Sequence, residues 1–199
     1  DYKFIRRAVE DDKNLQLVSM DRTAENKYYR QGVTHSDELI GGFPKTREEL
    51  FGYRAIILGS VEAASFTPEQ LRIIADFVNK RGGSLLMLGG RRAFAEGGWG
   101  GMPVGEVLPV VLGASNAKYL ATDISVRPTR AGSSSPVTQI AATESASTAR
   151  WGEMPELSAV NLVREVKPGA SVLLTGTDKQ HQDHVVLAYQ RYGRGKAFA

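Results

Sequence analysis

The sequence predicts an α/β fold with an open, mostly parallel, doubly wound sheet. Two observations carry this expectation. Ala55-Ile56-Ile57-Leu58-Gly59 and Leu85-Leu86-Met87-Leu88 are continuous apolar runs rather than alternating ones, as strands covered on both faces should be. Between them stands a complete helix signal: Thr67 at the N-cap, Pro68 at the first helical position, Gln70 three residues after the cap, then Leu71, Ile74, Ala75 and Val78 on one face up to Gly82-Gly83.

The remaining elements follow in order. Phe4, Ile5, Ala8 and Val9 fall at helical spacing and mark a short helix ending at Asp11-Asp12. Leu15 to Met20 reads as a strand. Asp21 to Pro44, with Tyr28, Tyr29, His35 and Gly41-Gly42, has no period and reads as a long loop. Thr46 and Glu49 make a capping-box pattern for a helix through Tyr53. After Leu88, residues 100–170 read as an irregular, partly β insertion in a single domain: an apolar run from Val104 to Leu112 broken by Pro109, a strand from Tyr119 to Val126, and a Ser/Thr/Ala-rich stretch from Arg130 to Glu156 with one weak helix. Val172–Gly176 and Val185–Tyr189 are strands, and Tyr192-Gly193-Arg194-Gly195 turns into a last one.

Composition narrows the function classes. The 199 residues are 42% hydrophobic and carry a formal charge of +3 with the signs interspersed, which gives no nucleic-acid footprint. There is no cysteine, so disulfides, thiolate metal sites and cysteine nucleophiles are excluded together. No run approaches the roughly 20 apolar residues of a membrane span. The chain starts without Met inside an amphipathic pattern and ends on a strand-like tail, so it is expected to be a soluble piece of a longer protein.

In open α/β sheets ligands sit beyond the carboxyl ends of the strands, which selects Gly59-Ser60-Val61-Glu62, Gly89-Gly90-Arg91-Arg92 and Gly176-Thr177-Asp178. The second is the best equipped. Its glycines allow a backbone to approach a ligand, and Arg91 and Arg92 can grip a carboxylate or phosphate, with Phe94 or Trp99 as an apolar wall. The structural alternative is a tight turn whose arginines pair with Glu62 or Glu96. Neither G-x-x-x-x-G-K-[ST] nor G-x-G-x-x-G is present, so no nucleotide cofactor is expected. His181 and His184 lack an evident third ligand, so no metal is expected either. Ser60 lacks the small neighbours of a G-x-S-x-G turn.

The run from Gly52 to Leu108, with Phe66-Thr67-Pro68-Glu69-Gln70-Leu71, Phe77-Val78 before Gly82-Gly83 and the strand into Gly89-Gly90, resembles the class I glutamine amidotransferase-like superfamily. It is most similar to the amidotransferase-like domains of large bacterial membrane-anchored proteins, and Lys3–Ala8 and Tyr192–Gly195 extend the likeness. The resemblance implies a flavodoxin-like sheet, a membrane-anchored parent, and a strand ahead of the first helix that this sequence lacks, leaving one sheet position empty or differently filled. It also implies a cysteine in a G-x-C-x-G turn near Gly90 or Arg91 and a later H-x-E. Here that turn is Leu88-Gly89-Gly90-Arg91-Arg92; His181 is followed by Asp183 and His184 by Val186. Without a thiolate there is no thioester route from glutamine to ammonia.

The reading is a non-catalytic binding or interaction module, partnered by other domains of its parent, a protein, or a small anionic ligand over Gly89–Trp99. The rivals are a hydrolase or transferase using Glu62, Glu96, Asp178 or the histidines, and a pure scaffold.

Overall fold

A computed structural model describes residues 2–24, 27–113 and 119–199. Residues 25–26 of the expected loop and 114–118 of the expected insertion lie outside the described residues. In chain order the elements are α1 (Tyr2–Val9), β1 (Ser19–Ala24), β2 (Lys27–Gln31), α2 (Arg47–Phe51), β3 (Ala55–Leu58), α3 (Pro68–Asp76) and β4 (Ser84–Met87). Then come α4 (Pro103–Val107), β5 (Val110–Val111), β6 (Tyr119–Leu120), β7 (Ile124–Pro128), α5 (Arg130–Ser133) and α6 (Glu144–Gly152). The chain finishes with β8 (Val160–Asn161), β9 (Glu165–Val166), β10 (Ser171–Asp178), β11 (Asp183–Tyr192) and β12 (Gly195–Phe198).

The main sheet has six strands in the order β3-β4-β12-β11-β10-β7. It is mixed rather than mostly parallel: β3 and β12 run parallel to β4, whereas β12–β11, β11–β10 and β10–β7 are antiparallel. The cause is turn length. A parallel pair needs a crossover of a dozen or more residues, and β11 joins β12 through Gly193-Arg194, with Gly193 at φ +57°. Apolar content alone does not encode that distinction.

The capping box read at Thr67 forms, whereas at Thr46 only the cap does: Glu49 N–H donates to Thr46 Oγ1 at 3.3 Å, and the Glu49 carboxylate accepts from Lys45 N–H at 2.8 Å. In α3, Gln70 N–H donates to Thr67 Oγ1 at 3.2 Å and Thr67 N–H donates to Gln70 Oε1 at 2.9 Å. The helix runs on as a π-helical turn over Phe77–Arg81 and closes at Gly82 with φ +87°. Its apolar face packs Leu71, Ile74, Phe77 and Val78 on Ile56, Leu58, Leu85 and Met87, the inward residues of β3 and β4. Gly83 is needed here because a Cβ at that position would stand 2.2 Å from the buried Phe77 ring. On the other face Ile57, paired with Leu86, is 39% exposed on the edge strand β3.

The aperiodic stretch after Asp21 is not simply a loop. β1 and β2 form an antiparallel hairpin with a register shift between Arg22 and Ala24, and the strand expected from Leu15 begins only at Ser19. None of its residues is buried, so no alternation marks it. The insertion is also woven into the fold. The strand expected over Tyr119–Val126 divides into β6, which pairs with β8, and β7, which joins β10 at the sheet edge. Two short helices, α5 and α6, occupy the stretch expected to hold one. Among the described residues no helix is long and apolar enough to cross a membrane.

Candidate functional site

The strand ends of β3 and β4 are brought together and locked. Ala63 N–H, after β3, donates to Gly97 O at 2.8 Å, and the Trp99 indole Nε1–H donates to Val61 O at 3.0 Å. Leu88 N–H donates to Leu58 O at 2.8 Å. Ser60 leaves β3 in the left-handed region at φ +49°, a conformation that costs a non-glycine residue free energy and persists only where the surroundings impose it.

The turn after β4 is held from the insertion. Asn161 of β8, 8% exposed, accepts from Gly90 N–H through Oδ1 at 2.7 Å and donates through Nδ2 to Gly90 O at 3.0 Å. The same Nδ2 donates to Glu96 Oε2 at 3.1 Å. Glu96 Oε1 is buried and has no hydrogen-bond partner among the described residues. A Cβ on Gly89 would stand 2.9 Å from Asn161 Oδ1, and one on Gly90 would stand 3.4 Å from Ser60 Oγ. Ser60, Gly89, Gly90, Glu96 and Asn161 therefore form one contiguous cluster. The amide on Asn161 saturates both backbone groups of Gly90, as a buried polar side chain must if it is not to cost stability.

The two arginines differ. The Arg91 guanidinium lies 5.6 Å from the centre of the Tyr119 ring, a cation–π arrangement that braces it over β6. Arg92 approaches Glu62 at 3.9 Å rather than Glu96, and both partners are largely exposed. Such a pair contributes roughly 0–1 kcal/mol, so an incoming anion can displace it.

Phe94 and Trp99 do not form a ligand wall. They are 5% and 0% exposed and belong to the core, with Trp99 against Phe66 at 5.7 Å. Glycines on either side of Trp99 fold the loop inward, so the indole anchors the loop instead of presenting it. The third strand end is separate. β10 runs in the same direction as β4, but β12 and β11 lie between them, about 14 Å at roughly 4.8 Å per strand, and the register sets Leu86 level with Ser171, so Asp178 at the far end of β10 stands further away still. There Asp178 Oδ1 accepts from Gln180 and Gln182 N–H, and Oδ2 lies 2.9 Å from His184 Nε2. The His184 hydrogen bond, then the N–H of Gln182, holds the Asp178 carboxyl below the ordinary carboxylate range against a smaller burial effect. His181 sits in the same turn at φ +62° and donates its N–H to Asp178 O. This group closes the β10–β11 hairpin.

Asn161 was not foreseeable from spacing: it lies 71 residues from Gly90, and its only mark is a polar residue between Val160 and Leu162.

A family model described as "Putative glutamine amidotransferase" matches residues 20–199. The chain belongs to this family. Among solved structures it is similar to cytoplasmic protein STM3548 from Salmonella typhimurium, at 17% identity and TM-score 0.62, covering 92% of this chain and 81% of that one. That likeness supports the α/β fold alone. Two β-galactosidases, one from Rahnella sp. R3 (17% identity, TM-score 0.47) and Gan42B of family GH42 (19%, TM-score 0.46), match 75% and 77% of this chain and about a fifth of theirs, at 20% and 19%. Those two carry no argument. None of the curated proteins matches the chain.

Proposed function

We propose that this amidotransferase-family domain binds a small anionic ligand over the ends of β3 and β4 and performs no glutaminase chemistry. The observation that carries the reading is the Asn161 clamp. Where the resemblance asks for a cysteine, near Gly90 or Arg91, the turn holds a glycine and an arginine, and Asn161 binds both backbone groups of Gly90. The turn is thus built as a rigid backbone platform. Beside it stand Arg91, Arg92 and the Ser60 hydroxyl as anion-reading groups, with Glu62 as the exposed partner that a ligand would replace. The apolar wall assigned to Phe94 and Trp99 has no part in it.

The hydrolase or transferase alternative is weakened by the placement of its groups. Glu62 and Glu96 lie near the β4 turn, while Asp178 and His184 close a hairpin three strand positions across the sheet and further along it. The resemblance further supports, as part of this proposal, a flavodoxin-like ancestry and a membrane-anchored bacterial parent whose other domains are the protein partners.

The catalytic half is tested by assaying ammonia release from glutamine by the purified chain, with an active glutaminase as control. No release above the uncatalysed background is expected. Release that survives repurification and disappears on mutation of Ser60 or Glu96 would overturn the reading.

A further inference from the structure

A second concave surface lies on the far arm of the same loop. A cleft of about 450 Å³ is lined by Ala95, Gly98, Gly100, Gly101, Leu112, Gly113 and Arg164. That volume is at the lower end of small-molecule sites. Among the described residues its only charged side chain is the Arg164 guanidinium, and no carboxylate lines it. Glu165 Oε1 lies 4.0 Å from Arg164 Nε, and both side chains are mostly exposed, so the pair holds the guanidinium weakly. Among the described residues, the N–H groups of Gly100 and Gly101 have no acceptor, although their neighbours Gly97, Gly98, Trp99 and Met102 all donate within the loop. At Gly98 and Gly101, with φ +72° and +70°, a Cβ would meet nothing within 4 Å, so no side chain crowds the loop backbone there. Ala95 and Leu112 supply an apolar floor.

We propose that this cleft is a binding site for a small molecule bearing a carboxylate or phosphate, with Arg164 and the Gly100 and Gly101 amides reading the anion and Leu112 and Ala95 contacting its apolar part. Guanidinium and peptide N–H donors together are the combination that recognises such oxyanions. The site is independent of Arg91 and Arg92.

The test is a titration of the isotopically labelled chain with inorganic phosphate and, in a second arm, with acetate, at constant ionic strength maintained with chloride, following amide ¹H–¹⁵N shifts. Saturable shifts of Gly100 and Gly101 are expected, weakened about tenfold or more by Arg164→Ala and unchanged by Arg91→Ala/Arg92→Ala. The arm that saturates at the lower concentration distinguishes phosphate from carboxylate. Shifts confined to the β3 and β4 ends, linear shifts with both anions, or shifts indifferent to Arg164→Ala would overturn the proposal. The first outcome would leave the strand-end reading intact, and shifts at the glycines alone would leave the cleft and remove the strand-end site.

Discussion

Asn161 sets the shape of the strand-end surface, because one buried amide satisfies the N–H and the C=O of Gly90 and one oxygen of Glu96. Asn161→Ala strands all three groups, so a loss of about 2–4 kcal/mol in urea unfolding is expected, more than the removal of an exposed hydrogen bond would give. A loss below 0.5 kcal/mol, on the order of a neutral surface change, would mean that the turn holds itself. Trp99 makes the opposite point about legibility. Its place in a glycine-rich loop reads as exposed, yet it is wholly buried with its indole N–H bound to Val61 O. Side-chain direction in a loop has no period to read, so sequence could find the loop but not which of its residues face in. In a Trp151→Phe variant, the remaining Trp99 emission is expected to be blue-shifted and resistant to acrylamide quenching. Efficient quenching would place it at the surface.

At the scale of elements, local signals were the legible ones. The capping box at Thr67 is short-range chemistry and forms as read, and at Thr46 the cap forms but the Glu49 carboxylate accepts from Lys45 N–H instead of closing the box. What spacing could not show is that Gln70 also reaches outward, its Nε2 donating to Phe43 O at 2.9 Å and Pro44 O at 3.3 Å. Gln70→Glu keeps an oxygen for the cap but aims a carboxylate at two carbonyls. It is expected to destabilise more than Thr67→Ala, whose cost is about 0.5–2 kcal/mol; urea midpoints of the two variants decide the order, and the reverse order would leave Gln70 as a cap only. The β10–β11 hairpin has a pH signature. Because the folded Asp178 carboxyl is held below its ordinary value, its stabilisation is complete above that value, near pH 4, and is lost as acid titrates it through the lowered folded value. Unfolding free energies measured from pH 5 down to pH 2 should fall less steeply in His184→Ala than in the parent chain, since the largest cause of the lowering is gone. Identical slopes would contradict this role for the pair.

For the whole molecule, the α/β class and the alternation of β3, α3 and β4 were visible in the sequence, but the strand directions beyond β4 were not. The apolar run of β3 does not mean cover on both faces, since Ala55 and Ile57 are exposed, and apolar runs do not say which neighbour lies at a strand's edge. The parallel half of the sheet delivers Ser60 and Gly89–Arg92 to one end, and β8 reaches that end from the insertion to clamp it. Long-range meetings such as Asn161 with Gly90 are a property of topology rather than of local pattern. The chain thus joins an α/β fold to a β4 turn whose backbone is held by Asn161.

The most direct test of this account is thermal unfolding of the chain, and of its Arg91→Ala/Arg92→Ala variant, against dicarboxylates, sugar phosphates, small anions and glutamine. A ligand at 100 times its dissociation constant adds about 2.7 kcal/mol, a rise of roughly 5–10 °C for a chain of this size. In an Arg164→Ala background, where the cleft cannot contribute, the account predicts such a rise with an anionic compound and its loss when Arg91→Ala/Arg92→Ala is added; an equal rise with those changes, or none with any compound, would contradict it.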